Sequence, residues 1–224
     1  MQDFLAQLGK NALFRGIEPQ EMEALMHCLR PVQRSYQKNE VIWQEGDCVH
    51  TVGMVAQGKV LILRDDFWGN RSILGEAAAG DIFGESYACA SGQPVAVSVL
   101  AAEDTTVVFL EIAQAMAVCG QACTFHLRLI QNLMQILAQK NVMLSRKIDH
   151  ISRRTTREKL LAYLSYHAQV QGSSTFDIPF NRQELADYLS VDRSALSQEL
   201  GKMKRDGLVD FSRSHFTLLS GDMT

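Results

Sequence analysis

The sequence holds no apolar run long enough to cross a bilayer, and no hydrophobic secretory segment follows Met1. Both absences predict a soluble, cytoplasmic protein with no membrane partner. A P-loop, clustered histidines and any nucleophile–base pair at recognisable spacing are also missing, so the reading is not an enzyme. Cysteine is scarce and odd in number, five in 224 residues, which fits reduced thiols in a reducing compartment. Positive charge is not in surplus either: the formal net charge is −3. That balance excludes strong indiscriminate attraction to polyanions. What remains is an ordinary globular composition, 46% hydrophobic and long enough for two compact domains.

The most informative stretch that is present runs from Asn181 to Gly207. Asn181 and Glu184 have capping-box spacing, and Leu185, Ala186 and Leu189 form a small apolar face behind them. Ser190-Val191-Asp192 reads as a turn, with Asp192 as N-cap of a second helix that buries Leu196, Leu200 and Met203 and stops at Gly207. The first turns of that second helix expose Arg193, Ser194, Ser197 and Gln198, side chains suited to phosphates and to base edges in a major groove. Downstream, Leu208–Phe211 and Phe216–Leu219 read as two strands around a polar turn, the wing of a winged helix. Upstream, Thr155 and Glu158 form another capping box, opening a helix that offers Leu160, Leu161, Tyr163 and Leu164 to a core. The charge distribution suits this placement. Residues 1–151 carry 12 Lys+Arg against 16 Asp+Glu, whereas residues 152–224 carry 10 against 9. Basic residues concentrate at Arg146-Lys147, Arg153-Arg154, Arg157-Lys159 and Lys202-Lys204-Arg205. Binding to DNA would therefore depend on a few well-placed cations.

The front half differs. Helical patterns occupy Asp3–Leu8 and Pro19–Leu29, and from Pro31 to Leu110 short β-prone runs alternate with glycines. The runs are Val41–Trp43, Val52–Val55, Val60–Leu63, Ile73-Leu74, Val95–Leu100 and Val107–Leu110, a spacing that predicts a sandwich or barrel-like roll. Gly80–Ser86 reads as a glycine-rich turn entering a short helix, able to aim backbone N–H groups at an anion or simply to turn a corner of the roll. Between the halves, residues 124–151 lack glycine and proline and repeat apolar residues at heptad spacing: Leu127, Ile130, Met134, Leu137, Asn141, Leu144, Ile148 and Ile151. Asn141 is the one polar member of that seam, and Leu129, Leu133 and Ile136 form a second apolar face. The pattern predicts a long helix with one face on its own domain and one on a second copy.

Taken in order, a glycine-punctuated roll with GDIFGE (Gly80–Glu85), a dimer helix, and FNRQELADYLSVDRSALSQEL (Phe180–Leu200) resemble the CRP/FNR family of bacterial transcription regulators over nearly the whole chain. The resemblance implies an α+β architecture: an N-terminal cyclic-nucleotide-binding-type β-roll (1–123), a long dimerisation helix and hinge (124–153), and a C-terminal winged helix-turn-helix (154–224). It implies a homodimer on double-stranded promoter DNA, with RNA polymerase and a small-molecule effector as further partners. It also places Arg193, Ser194 and Gln198 against bases, and Asn181, Arg182 and Gln183 near phosphates.

The effector site matches the family only in part. Gly84-Glu85, followed by Ser86, stands where cyclic-nucleotide-binding members hold the ribose. Their phosphate-binding arginine is replaced by Val95, followed by Ala96 and Val97. Leu144-Ser145 falls where the dimer helix meets the nucleobase in those members. A phosphate without its cation would lack a charge-assisted partner, so the expected effector is not cyclic AMP but an unidentified small molecule of more apolar character. The alternative is a cysteine-based redox, metal or haem sensor. The region before Pro31 has only Cys28, so the iron–sulfur cluster of oxygen-sensing members is not expected. Cys48, Cys89, Cys119 and Cys123 remain, with His27 and His126 as neighbouring ligand types, and two thiols make a poor structural metal site. No metal and no definite cofactor is assigned.

Overall fold

The computed structural model describes residues 8–9, 11–65, 71–90, 93–112 and 124–219. It falls into two compact units, Met1–Gln139 and Lys140–Thr224, divided within a continuous helix. Cys119 and Cys123, and most of the Asp3–Leu8 pattern, lie outside the described residues.

In the first unit a 3-10 turn at Ala12–Phe14 precedes α1 (Pro19–Leu29), which opens on a Glu18–Glu21 capping box with proline at its first position. Eight strands follow: β1 (Val32–Tyr36), β2 (Val41–Trp43), β3 (Val52–Gln57), β4 (Lys59–Asp65), β5 (Arg71–Ala78), β6 (Ile82–Phe83), β7 (Ser98–Ala101) and β8 (Thr105–Leu110). The short α2 (Glu85–Cys89) lies between β6 and β7. They form two antiparallel four-stranded sheets, β1-β8-β3-β6 and β2-β7-β4-β5.

Strand β8 explains why this unit has two cores. Successive side chains of a strand point to opposite faces. Val107 and Phe109 enter the cluster between the sheets with Trp43, Val55, Val60 and Phe83. Val108 and Leu110 enter the other cluster, with Leu13, Phe14, Leu25 and Leu29 from the N-terminal turns. A strand buried on both faces reads as a continuous apolar run, as Val107–Leu110 does. Gly53 of β3 lies under Phe83, where an added Cβ would stand 2.3 Å from the ring. Strand β7 begins only at Ser98, so Val95–Val97 are not strand. The reason is local: Val95 accepts from the Gly46 N–H and donates to Asp47 O, which ties it to a turn and not to a ladder.

The helix between the halves is α3 (Thr124–Ile151). One face, His126, Leu129 and Leu133, is buried in the first unit, with Ile136 packed beside it. The heptad face is largely open: Leu127, Met134, Leu144 and Ile148 are each about 60% exposed. The second unit continues with α4 (Thr156–Gln171), β9 (Thr175–Asp177), α5 (Arg182–Leu189), α6 (Arg193–Arg205), β10 (Val209–Ser212) and β11 (His215–Leu218). The last strands pair with β9 in the order β10-β11-β9. Leu160, Leu164, Leu185, Leu189, Leu196, Leu200, Met203, Val209 and Phe216 form its core. The architecture is α+β: a β-rich roll, a long helix and a winged helix-turn-helix. No helix among the described residues is long and apolar enough to cross a membrane.

Gly53→Ala should lower stability in urea unfolding by about 1–3 kcal/mol, because the Phe83 ring must move to admit one methyl group.

Candidate DNA interface and sensor pocket

Side-chain caps fix the starts of both α5 and α6. The Asn181 side chain accepts from the N–H groups of Gln183 and Glu184, and Glu184 returns a bond to the Asn181 N–H at 2.7 Å. Ser190, with φ of 52°, ends α5 in the left-handed region, and the chain turns at once into α6. Asp192 accepts from the N–H groups of Ser194 and Ala195 and from the Ser194 hydroxyl. Those bonds, the hydroxyl foremost, hold the Asp192 carboxyl below the usual carboxylate range. The cap therefore keeps its charge at neutral pH and loses it only as pH falls below the ordinary aspartate value.

Within α6, Arg193, Ser194, Ser197 and Gln198 are all exposed on the first two turns. Ser194 is engaged by Asp192, and the Ser197 hydroxyl donates to Arg193 O at 2.9 Å. The opposite face anchors the helix to α4. Arg157 reaches Glu199 at 2.7 Å and Asp206 at 2.5 Å, and these two bonds raise the guanidinium's affinity for its proton. Lys159 adds an ammonium on the Leu189 carbonyl at 3.1 Å, at the end of α5. A helix fixed on one side and free on the other can present its polar face rigidly to a partner.

Not every expected contact residue is placed alike. Gln183 is exposed and donates to Asp187 at 2.8 Å. Arg182 is half-buried, its guanidinium 4.7 Å from the Phe211 ring centroid and 5.1 Å from that of Phe216. Burial lowers its pKa from the ordinary arginine value. Arg182 thus joins α5 to the wing by cation–π contact. At the tip of that wing, exposed Arg213 adopts φ of 53° between the paired Ser212 and His215. The sequence signal for it was a lone arginine in a polar turn, indistinguishable from any solvated loop cation.

In the first unit the GDIFGE segment has a packing role. Gly84 takes φ of 76° as the N-cap of α2, and a Cβ there would stand 2.2 Å from the Trp43 ring. Only glycine satisfies both conditions. Glu85 is 4% exposed, a buried carboxylate on the first turn of α2, and Ser86 beside it is exposed. Val95 is 1% exposed and belongs to the core with Trp43, Phe83 and Phe109. Ala96 is exposed, and its N–H donates to the Tyr87 hydroxyl at 3.3 Å. The N–H groups of Val95 and Ala96 are therefore already engaged. Leu144 and Ser145 are both exposed, and belong to the second unit.

Among the described residues no group of three or more His, Cys, Asp or Glu could hold a metal. Cys28 and Cys89 are half-buried and Cys48 is exposed. Burial, aided by the Glu85 carboxylate, pushes the Cys89 thiol up from its ordinary value, which disfavours the reactive thiolate. His126 is 7% exposed, and neither of its ring nitrogens has a hydrogen-bond partner.

Two families match consecutive parts of the chain: Cyclic nucleotide-binding domain over residues 33–121 and Crp-like helix-turn-helix domain over residues 158–222. The chain belongs to the CRP/FNR family of transcription regulators. It is 28% identical over 192 residues to the transcriptional activator protein FnrL of Cereibacter sphaeroides, covering 79% of this chain and 71% of that one. It is 26% identical to the cyclic AMP receptor protein of Thermus thermophilus, covering 88% and 87%. Among solved structures, CprK complexed with OCPA superposes with a TM-score of 0.64 at 14% identity, covering 88% of this chain and 91% of that one. The likeness of that structure supports the fold alone. As a CRP/FNR regulator, the chain has a DNA-binding helix-turn-helix in α5 and α6, and a cyclic-nucleotide-binding-type roll.

Asn181→Ala removes a cap that satisfies two N–H groups, and should lower the unfolding free energy of the second unit by about 0.5–2 kcal/mol in thermal or urea melts.

Proposed function

We propose that this regulator acts as a homodimer on double-stranded promoter DNA, reads base edges with Arg193, Ser194, Ser197 and Gln198, and responds to a small molecule other than cyclic AMP. The observation that supports DNA reading most directly is the exposed polar face of α6. Arg193 and Gln198 project from a helix whose other side is clamped by Arg157 and the core. Arg193 suits bidentate contact to guanine and Gln198 to adenine. Asn181 and Gln183 sit at the N-terminus of α5, where phosphate contacts would set register. Arg182 would contribute there through the wing it supports.

Residues 124–153 would serve as dimer helix and hinge. The supporting observation is the row Leu127, Met134, Leu144 and Ile148, left exposed while the opposite face is buried. Ile130, Leu137, Asn141 and Ile151 complete that seam, and Asn141 would pair across the two-fold axis to fix register. A dimer presents two reading helices to two half-sites. The protein would work in the cytoplasm beside RNA polymerase, without enzymatic activity.

For the effector, Val95 carries the argument. A cyclic phosphate needs a cation, and this position supplies a methyl-bearing side chain packed beneath Trp43 and Phe83. Gly84, Glu85, Ser86, Val95 and Ala96 are the proposed effector surroundings in the roll, and Leu144 and Ser145 are proposed effector contacts on the long helix. The ligand would exploit apolar contact and the Glu85 carboxylate, and would have to favour one DNA-binding state over another to switch it.

Two experiments test these readings. A duplex selected from a random pool by the wild-type protein should bind Arg193→Ala about 1–3 kcal/mol more weakly in mobility-shift assays, with relaxed preference at one base pair. Unchanged affinity and unchanged preference would remove Arg193 from the reading face. Calorimetric titration of the full chain with cyclic AMP should give no saturable heat, and tight stoichiometric binding would overturn the effector argument.

A further inference from the structure

The second unit contains a buried histidine that neither the fold nor the DNA-reading face accounts for. His150 lies on the last turn of α3 and is 3% exposed. Its ring lies against three tyrosines: Tyr163 at 5.6 Å edge to face, Tyr166 at 5.6 Å and Tyr188 at 5.9 Å. Two of these come from α4 and the third from α5, the first helix of the helix-turn-helix. His150 Nδ1 shares a 3.1 Å hydrogen bond with the Tyr188 hydroxyl. A second histidine, His167 of α4, lies tilted against Tyr163 with ring centroids 4.5 Å apart, and stacks on Phe176 at 6.3 Å. The end of the long helix is therefore joined to the DNA-reading helices through imidazole and phenol rings.

We propose that His150, enclosed by Tyr163, Tyr166 and Tyr188, is a proton-gated latch that holds the end of α3 against α4 and α5 when neutral and releases it when charged.

The geometry leaves a protonated His150 poorly served. The charged groups that face it on α3 are Arg146, Lys147 and Arg153 against one carboxylate, Asp149, which Arg153 already engages at 2.8 Å. Arg146 donates to the Tyr166 hydroxyl at 2.6 Å, and Lys147 stands 5.5 Å over the Tyr188 ring, so cations already occupy the outer faces of the box. On α4 the facing titratable groups are Tyr163, Tyr166 and His167, and on α5 Tyr188; none is an acid at neutral pH. The Tyr163 hydroxyl is buried without a hydrogen-bond partner, so the polar surplus holding the joint is small. Burial lowers the pKa of His150 from the ordinary 6.5, and burial followed by the nearby His150 lowers that of His167.

The sign follows from linkage. The latched state binds fewer protons than the open one, so it gains from rising pH. Its stability is complete above 6.5 and declines as pH falls from there through the lowered value, by up to about tenfold per pH unit for one group. The latch stands independently of the DNA-binding reading; only its effect on DNA affinity rests on that reading.

The test uses the full chain and measures hydrogen-exchange protection factors in residues 146–153 and 185–189 between pH 7.5 and 5.0. Wild-type protection should fall by tenfold or more over that range, with its midpoint below 6.5 and coincident with the His150 ring titration followed by NMR. His150→Phe keeps an aromatic plug without a proton site and should flatten the profile, whereas His167→Phe should retain most of it. Tyr188→Phe removes the hydroxyl and should move the midpoint upward. An equal fall in His150→Phe and wild type, or a His150 ring that titrates at its ordinary value, would overturn the latch. If His150→Phe does not fold, the wild-type coincidence of ring titration and protection decides the matter alone, since a mismatch refutes the proposal. DNA binding to the selected duplex, measured over the same pH range, then tells separately whether release of the latch reaches the reading helices.

Discussion

A single helix must satisfy two apolar faces, and the rest of the molecule is arranged around that demand. His126, Leu129 and Leu133 of α3 are buried against the roll, while Leu127, Met134, Leu144 and Ile148 stand about 60% exposed. Burying a large aliphatic side chain fully is worth roughly 1.5–3 kcal/mol, so four such residues in water represent a substantial unused driving force. A helix that only closed its own domain would carry polar residues there. The attachment of α3 to the first unit is secured by polar contacts as well: Asn132 donates to Leu13 O and Arg15 O at 2.9 Å, and Arg128 reaches Gly16 O and Glu21. The buried face is thus pinned at a fixed rotation, which determines which residues face outward.

The same economy governs the sensor roll. Gly84 solves a packing problem, because the Trp43 ring fills the space a side chain would take. Val95 completes that layer and commits its own backbone groups to the Gly46–Asp47 turn. Placing a guanidinium at such a position would require desolvating a charge among aromatic rings. The replacement is therefore more than the loss of one ligand contact. The surrounding core is built for an apolar residue, with Val95 packed in one cluster with Trp43, Phe83 and Phe109.

Legibility of these features in the sequence followed the range of the forces behind them. Caps are local, so Asn181–Glu184, Thr155–Glu158 and Asp192 were readable from spacing alone, and all three form. The two-faced periodicity of α3 was equally plain, because a helix of that length repeats its pattern several times. Strand β1, VQRSY, gave no apolar alternation because among the described residues it is an edge strand, paired with β8. Strand β9 is three residues long and is recruited by β11 across nearly forty residues of sequence. Val95–Val97 looked like strand because β-branched residues do so whether they enter a ladder or plug a core. The cation–π contact of Arg182 was not legible, because nothing in its neighbours announces that Phe211 and Phe216 will lie beneath it. The aromatic box was invisible for the same reason: His150, Tyr163 and Tyr188 are each unremarkable in sequence, and only the meeting of three helices gives them a common environment.

The box also bears on how a long helix could communicate at all. A ligand shifts an equilibrium only by the difference in its affinity for two states, so a regulator needs a joint whose two arrangements are close in energy. A joint sealed by an extensive apolar core would be too one-sided. The contact of α3 with α4 and α5 rests on ring packing, cation–π contacts of Arg146 and Lys147, and two hydrogen bonds to tyrosine hydroxyls, with a third buried hydroxyl left unpartnered. The core of the winged helix, by contrast, is formed by fully buried leucines and does not depend on α3. The DNA-reading helices can therefore keep their mutual geometry, fixed by Arg157 and the caps, while their attachment to α3 changes. That separation of a rigid reading head from a finely balanced joint is what a switch requires, whatever stimulus acts on it.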